Sequence, residues 1–383
     1  MRWPTCWAAS ITCPPPPDPV GRVPESAPLQ DWLTAIEAAH PAEIELGLER
    51  VAAVAGRMGL VPAPVPVVLV GGTNGKGSTL AFLETALAAA GHRVGGYTSP
   101  HLFRFNERVR VGGEAVDDAA LIAAFEAVAA ARGDTPLTYF EFTTLAAMAV
   151  FAERAELALL EVGLGGRLDA VNIWDPLVSV ITAVDLDHQA FLGDDREAIG
   201  AEKAGILRPG VPAVCGDPDP PRSLTAAAAD DLWRIGRDFH AEAGASDWRW
   251  LGPEGALDSL PRPSLAGDYQ IRNAATAIAA GERLPSAWRP GPEAWRQALA
   301  ATRIPGRGQV VPGAIPVWLD VGHNPQAAEA LAALLREQPV AGRTLAVFGA
   351  MRDKAVAEVA AAMAGVVDRW YPCGMHGDRA LSG

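Results

Sequence analysis

The 383-residue chain is poor in cysteine: Cys6, Cys13, Cys215 and Cys373 lie far apart, and no two have CxxC spacing. That excludes a disulfide framework and a zinc knuckle, and it fits a reducing, cytoplasmic setting. Runs of Lys or Arg are missing as well, and 32 basic against 45 acidic residues give a net charge of −13. A molecule that repels polyanions overall, with no local exception, is unsuited to nucleic acid as its main partner. Long apolar runs are also absent. The longest uncharged stretch, Met58 to Gly75, is broken by Pro62, Pro64, Pro66 and by glycines, so no membrane span is expected. The N-terminus lacks the apolar region and small-residue cleavage site of a signal peptide.

What is present is globular in composition: 49% hydrophobic and 20% charged residues, with 39 Gly placed largely where apolar runs meet helical patterns. Such punctuation suits α/β architecture. Residues 1–24, with Trp, Cys and a four-proline run, read as a disordered leader or a mis-assigned start. Helical spacing follows over Leu29–Ala39 and Ile44–Met58. The β-branched run Val65–Val70, a glycine loop and a helix stopping at Gly91 form the first unit of a parallel sheet. Strands at Leu157–Val162 and Val178–Val184 are nearly all apolar, as strands covered on both faces must be. Helices are predicted over Leu121–Ala131, Thr143–Arg154, Arg196–Ala204 and Asn273–Leu284. Residues 217–263 carry only a weak pattern of short strands and loops, and 285–308 read as a Pro/Gly-rich connection. A second α/β pattern follows, with strands Val317–Asp320 and Leu345–Phe348 and helices Gln326–Glu337 and Ala355–Met363. The expected organisation is an α/β protein: a P-loop nucleotide-binding domain over 25–300 with a mostly parallel sheet, then a smaller Rossmann-like domain over 301–383.

Between the first strand and its helix lies Gly71-Gly72-Thr73-Asn74-Gly75-Lys76-Gly77-Ser78. Backbone N–H groups, the positive end of the helix dipole and the Lys76 ammonium all favour a phosphate there. Ser78 offers a hydroxyl to a Mg²⁺ that bridges phosphate oxygens. The strict pattern G-x-x-x-x-G-K-[ST] fails, because Val70 stands at its first glycine and Gly77 separates Lys76 from the hydroxyl residue.

This variant loop resembles that of folylpolyglutamate synthases and bifunctional dihydrofolate synthases, members of the Mur ligase superfamily. Other segments extend the resemblance over residues 28–370: Leu46-Gly47-Leu48-Glu49-Arg50, Thr98-Ser99-Pro100-His101-Leu102, Tyr139-Phe140-Glu141, Glu161 to Asp169, Asp187-His188, Glu202-Lys203-Ala204-Gly205-Ile206, Pro305-Gly306-Arg307 and Asp320 to Pro325. The resemblance implies an ATP-dependent ligase that joins L-glutamate to dihydropteroate and to folates through an acyl phosphate. Thr73, Asn74, Gly75, Lys76, Gly77, Ser78, Asn273, Arg307, Asp320 and His323 would serve ATP. Two Mg²⁺ sites are implied, one at Ser78 and Glu161 and one at His188 and a carbamylated Lys203, with a monovalent cation as a further candidate. Lys76, His188, Lys203 and Arg307 would carry catalysis. The acceptor acid would meet Gly47, Leu48, Ser99, Pro100, His101, Phe140, Arg167, Leu168 and Asp169.

Structural roles stand beside several of these. Lys203 in a last helical turn suits the helix dipole, Glu161 reads also as a cap or surface charge, Asn273 as a helix N-cap and Asp320 as the cap of the next helix, and Phe140 as plain core. A peptidoglycan Mur ligase is disfavoured by Thr73-Asn74-Gly75 and by the Ser99-Pro100-His101 loop. Family members usually continue past the equivalent of Arg369 through a further helix and strand, so the second domain is expected to be short. A catalytically impaired homologue is therefore an alternative. A monomer is expected.

Overall fold

The computed structural model describes residues 20, 23, 27–40, 45–228, 231–374 and 381. Most of the leader read over 1–24, the start of the helix expected from Ile44 and most of the unpatterned C-terminal stretch lie outside the described residues.

Two helices, α1 (Leu29–Ala38) and α2 (Glu49–Arg57), precede strand β1 (Val67–Gly71) and helix α3 (Lys76–Ala89). Pro66 has no N–H to give to a ladder, so β1 begins after it rather than at Val65. Next come β2 (Val94–Tyr97), β3 (Val109–Val111), β4 (Glu114–Ala115), α4 (Asp118–Arg132), α5 (Tyr139–Arg154), β5 (Leu157–Glu161) and β6 (Val178–Ile181). After them lie α6 (Gln189–Leu192), α7 (Arg196–Ala204), β7 (Ala213–Cys215), α8 (Arg222–Ala227) and β8 (Leu232–Arg234). Together these strands form one eight-stranded sheet in the order β4-β3-β2-β5-β1-β6-β7-β8. It is parallel from β2 to β8, with β3 and β4 added antiparallel at one edge.

The central strands divide their side chains between two cores, as the two-residue period of a strand requires. Val67 and Leu69 of β1 and Ala158 and Leu160 of β5 face one core, which α1, α2, α4 and α5 complete with Trp32, Val54, Phe125 and Phe142. Val68, Val70, Leu157 and Leu159 face the other, with Leu83 and Leu87 of α3. Its outer wall is α9 (Tyr269–Arg283) and α10 (Pro292–Ala301), with a three-stranded antiparallel sheet of β9 (His240–Ala243), β10 (Asp247–Gly252) and β11 (Gly255–Pro261). With both faces covered, polar chemistry is confined to the strand ends.

Several elements differ from the sequence reading. The connection expected over 285–308 contains α10, whose Trp295 is fully buried. Gly291 and Pro292 there start a helix, Pro at its first position, rather than prolong a loop. Strand β2 was hidden by Gly95-Gly96. Gly95 is small because Phe151 of α5 lies across it: an added Cβ would sit 2.4 Å from the ring.

The C-terminal unit comprises β12 (Gln309–Val311), β13 (Val317–Leu319), α11 (Pro325–Glu337), β14 (Leu345–Phe348), α12 (Val356–Ala362) and β15 (Arg369–Pro372). Strand β15 falls where the pattern had faded. Its small core of Ala328, Ala332, Val359 and Met363, packed by Phe348 and Trp370, is separate from the two larger ones. Among the described residues no helix is long and apolar enough to cross a membrane.

Replacing Gly95 by Ala forces a methyl into the Phe151 ring, and overpacking of this kind costs about 1–3 kcal/mol. Differential scanning calorimetry is expected to show a lower Tm for Gly95→Ala.

Candidate active site

The glycine loop leaves β1 and turns into α3 through two glycines in conformations that L side chains rarely adopt: Gly72 at φ +142° and Gly75 at φ +88°. Space is as restrictive as the dihedrals. A Cβ on Gly75 would lie 2.5 Å from Asn273 Oδ1, and one on Gly72 would collide with the Thr182 hydroxyl. The loop is fastened from β6, where Thr182 Oγ1 donates to Asn74 O at 2.6 Å, while Thr73 N donates to Ala183 O. Asn273 is the fifth residue of α9, so its side chain is not the cap of that helix. Instead it is buried against the loop, with Nδ2 donating to Gln270 Oε1 at 2.9 Å.

Lys76 folds back over the loop, its ammonium donating to Gly72 O at 3.1 Å and Thr73 O at 3.2 Å. Burial lowers its pKa, against the opposing pull of Glu161. Glu161 ends β5 at 5% exposure, and among the described residues its carboxylate accepts one hydrogen bond, from Ser99 N at 3.4 Å. Burial accordingly pushes its pKa up, while Lys76 and Arg307 pull it down. A buried carboxylate with so little satisfaction is chemically suited to a cation. Gly77 and Ser78 adjoin it: a Cβ on Gly77 would be 3.6 Å from Glu161 Oε2, and Ser78 is 3% exposed. These residues fit a Mg²⁺ held together with nucleotide phosphates.

Lys203, in the last turn of α7, is 3% exposed, and among the described residues nothing accepts a hydrogen bond from it. Burial, with the neighbouring Lys76 charge, lowers its pKa to about 7. His188 has φ +50°, and its backbone N–H donates to Asp187 Oδ1 at 2.9 Å. Burial brings the His188 pKa down to about 4. Among the described residues no three His, Cys, Asp or Glu side chains gather closely enough to hold a metal alone. A cation here would need oxygens beyond the carboxylates, and the Ser78 hydroxyl and bound phosphate are of the right kind.

The C-terminal unit meets the loop through polar groups. Asn74 Nδ2 donates to Asn324 Oδ1 at 3.2 Å and to Gln326 Oε1 at 2.6 Å. Asp187 receives Lys354 Nζ at 2.7 Å and lies 3.5 Å from His323 Nε2. Although burial alone would raise it, hydrogen bonds from His323 and Lys354 hold the Asp187 carboxyl well below the usual range. Asp320 does not cap α11. It accepts from Gly308 N at 2.8 Å and Gly322 N at 2.7 Å, bracing the Arg307 turn, while Asn324 is the cap. Arg307 is half-buried, and among the described residues it makes no hydrogen bond or ion pair. Lys354, 3.5 Å from His188 Nε2, was missed. Its signal was rarity: the chain has three lysines, Lys76, Lys203 and Lys354, and all three converge here.

The expected acceptor segments are less uniform. Ser99 and His101 lie beside Glu161 and Arg108 respectively, with Arg108 Nε donating to His101 Nδ1 at 2.9 Å. Phe140, in the first turn of α5, packs 5.9 Å from the Tyr97 ring and over Gly163, where a Cβ would be 2.7 Å from it. Gly47 and Leu48 are half-buried, and Arg50 beyond them pairs with Glu141 at 2.9 Å. Pro100 is exposed and Leu168 half-buried. Asp169 is committed to its own loop, accepting from Leu164 N at 2.8 Å and Val171 N at 3.1 Å; burial lifts its pKa to about 6. Arg167 is exposed and pairs with Glu202 at 2.8 Å.

Residues 306–383 match the family model for the Mur ligase glutamate ligase domain. The dihydrofolate synthase/folylpolyglutamate synthase of Escherichia coli (strain K12) is 44% identical over 366 residues, covering 94% of this chain and 85% of that one. The chain belongs to the dihydrofolate synthase/folylpolyglutamate synthase family. Its fold agrees with two solved members. E. coli FolC in complex with DHPP and ADP superposes with a TM-score of 0.89 at 44% identity, over 94% of this chain and 86% of that one. A bifunctional enzyme of the same name with Mn, AMPPNP and L-glutamate bound gives 0.86 at 44% identity and the same coverage.

Lys203 titrates at about 7 when folded and near 10.5 as a free lysine. Between those values the unfolded chain holds the extra proton, so the lysine's burial penalty is relieved as pH rises through that window. In CO₂-free buffer the urea midpoint of the wild type is expected to gain more between about pH 7 and about pH 9 than that of Lys203→Met.

Proposed function

We propose that this protein is an ATP-dependent carboxylate–amine ligase that joins L-glutamate to dihydropteroate and lengthens folylglutamates. The observation that carries this reading is the buried, under-satisfied Glu161 set between Lys76 and Arg307 at the mouth of the glycine loop. Its relatives are named for the two activities, and solved members hold ADP, an ATP analogue and L-glutamate.

On this reading ATP lies with its phosphates on the Thr73–Ser78 loop, near Asn273 and His323, and its ribose toward Asp320. The carboxylate of dihydropteroate, or the terminal γ-carboxylate of a folylglutamate, attacks the γ-phosphorus, and ADP departs. Lys76 leaves the loop carbonyls to follow the transferring phosphoryl group, and Arg307 brings a second, otherwise unpaired cation to the charge that develops there. The amine of L-glutamate then attacks the acyl carbon, phosphate leaves, and the amine proton goes to solvent. No covalent nucleophile is needed, so Cys215 and Cys373 are free to be incidental. When bound, Mg²⁺ at Ser78 and Glu161, and at His188 and Lys203, supplies neutralisation of the phosphate charge.

Lys203 suits carbamylation because only the neutral amine attacks CO₂. The ammonium first gives up one proton, the neutral nitrogen then forms the new bond to carbon and sheds a second, so over both steps the charge at this position changes from positive to negative. The acceptor acid rests against Phe140 and the Ser99–His101 segment. The four widely spaced cysteines fit action in a reducing cytoplasm.

Purified protein with MgATP, L-glutamate and either dihydropteroate or tetrahydrofolate is expected to release ADP only when an acceptor acid is present. Lys76→Ala is expected to lower kcat by at least about a hundredfold. Acid-independent turnover, or none with either acceptor from folded protein, counts against the ligase and for an impaired homologue. Incubation with ¹³C-bicarbonate is expected to give a carbamate resonance in the NMR spectrum that Lys203→Met lacks.

A further inference from the structure

An ion pair between a buried carboxylate and a half-buried guanidinium joins the phosphate-binding helix to the Ser99–His101 segment. Glu84 lies about two turns along α3 from Lys76 and is 3% exposed. Its carboxylate accepts from Arg110 Nη2 at 2.7 Å and from Arg110 Nε at 3.1 and 3.2 Å, a fork that lysine cannot reproduce. Strand β2 makes way for this pair: a Cβ on Gly96 would lie 2.7 Å from Glu84 Oε1. The remaining arm of Arg110 reaches the segment itself, with Nη1 donating to Thr98 Oγ1 at 2.9 Å and to Glu107 O at 2.8 Å.

Thr98 is where the segment begins, and Thr98 N is held in turn by Arg108 O at 3.0 Å. The far end is held from the same stretch, since Arg108 Nε donates to His101 Nδ1. The residue between, Ser99, gives its N–H to Glu161. Arg108 and Arg110 thus grip the segment at both ends, and Glu84 ties that grip to the helix bearing Lys76 and Ser78. Such a pair is a poor device for stability, because apolar side chains fill the same space without desolvating two charges. A directional fork is instead a device for fixing position.

We propose that Glu84 and Arg110 are positioning residues for the acceptor acid, setting the Thr98–His101 segment against the phosphate loop so that the acid's carboxylate approaches the γ-phosphate in line. This rests on the reading of Ser99–His101 as an acceptor segment. It predicts an effect on the acid and not on the nucleotide.

Three variants test it by steady-state kinetics with each substrate varied: Thr98→Val, which removes the hydroxyl acceptor and leaves the ion pair whole, Arg110→Lys, and His101→Ala. Thr98→Val and Arg110→Lys are expected to raise KM for dihydropteroate about tenfold while KM for ATP stays within about twofold, at a Tm close to wild type for Thr98→Val. If Arg110→Lys fails to fold, Thr98→Val still decides. An acceptor KM raised by His101→Ala but unmoved by Thr98→Val overturns the positioning role and leaves the segment's assignment standing. No change with His101→Ala removes that assignment and this inference with it. An equal rise in KM for ATP and for the acid marks the pair as merely structural and overturns the inference.

Discussion

Charge withheld from water at the carboxyl edge of a parallel sheet is the constraint around which the site is arranged. Glu161 and Lys203 are buried and Lys76 half-buried within one crevice, and desolvation is the largest influence on the pKa of each. In such surroundings the dielectric response is weak, so interactions with an added phosphate or dication exceed their strength at an exposed surface. The protein leaves the set incomplete: among the described residues Glu161 accepts one long hydrogen bond, and Lys76 satisfies itself on loop carbonyls. A nucleoside triphosphate with a divalent metal would supply the missing charges. The overall −13 then has a counterpart in the gathering of all three lysines at this one place.

The fold puts the charges there because it leaves nowhere else for them. Strands β1 and β5 send alternate side chains into cores on both faces, and every residue of these strands is buried. Only strand ends and the loops beyond them remain for polar groups, the usual place for ligands in open α/β sheets. The C-terminal unit is joined to this edge differently, through Asn74, Asn324, Gln326, Asp187 and Lys354. Hydrogen bonds and ion pairs of this kind exchange for contacts with a ligand at little net cost, whereas a shared apolar core does not. On the proposed reading, that distinction would suit a unit that carries Arg307 toward the phosphates.

Legibility followed the strength of local constraint. The loop was readable because Gly75 needs a left-handed backbone and no Cβ, and because Lys76 and Ser78 have a recognisable chemistry at a strand-to-helix junction. Glu161 was readable as a carboxylate ending an apolar strand, and the family resemblance extended the set to His188, Lys203 and Arg307. Asn273 and Asp320 were found, but their cap readings failed: one lies inside a helix against Gly75, the other braces two backbone N–H groups. Asp169, implied by the resemblance as an acceptor-binding residue, accepts backbone N–H groups of its own turn. Helix α10 was masked by the prolines and glycines around it, and β2 by Gly95-Gly96, whose small size answers to Phe151 and Glu84 far along the chain.

The sequence by itself determined the family, the α/β class, the position of the phosphate loop and the kind of chemistry, since each depends on residue types at short spacing. The tertiary structure alone decided which charges meet. Lys354 reaches Asp187 across 167 positions and Asn74 reaches Asn324 across 250, separations at which no local pattern survives. Burial was decided there too, and with it the lowered pKa of Lys203 and the raised one of Glu161. Desolvation is set by everything packed around a group, and a linear chain does not carry that information in any one segment.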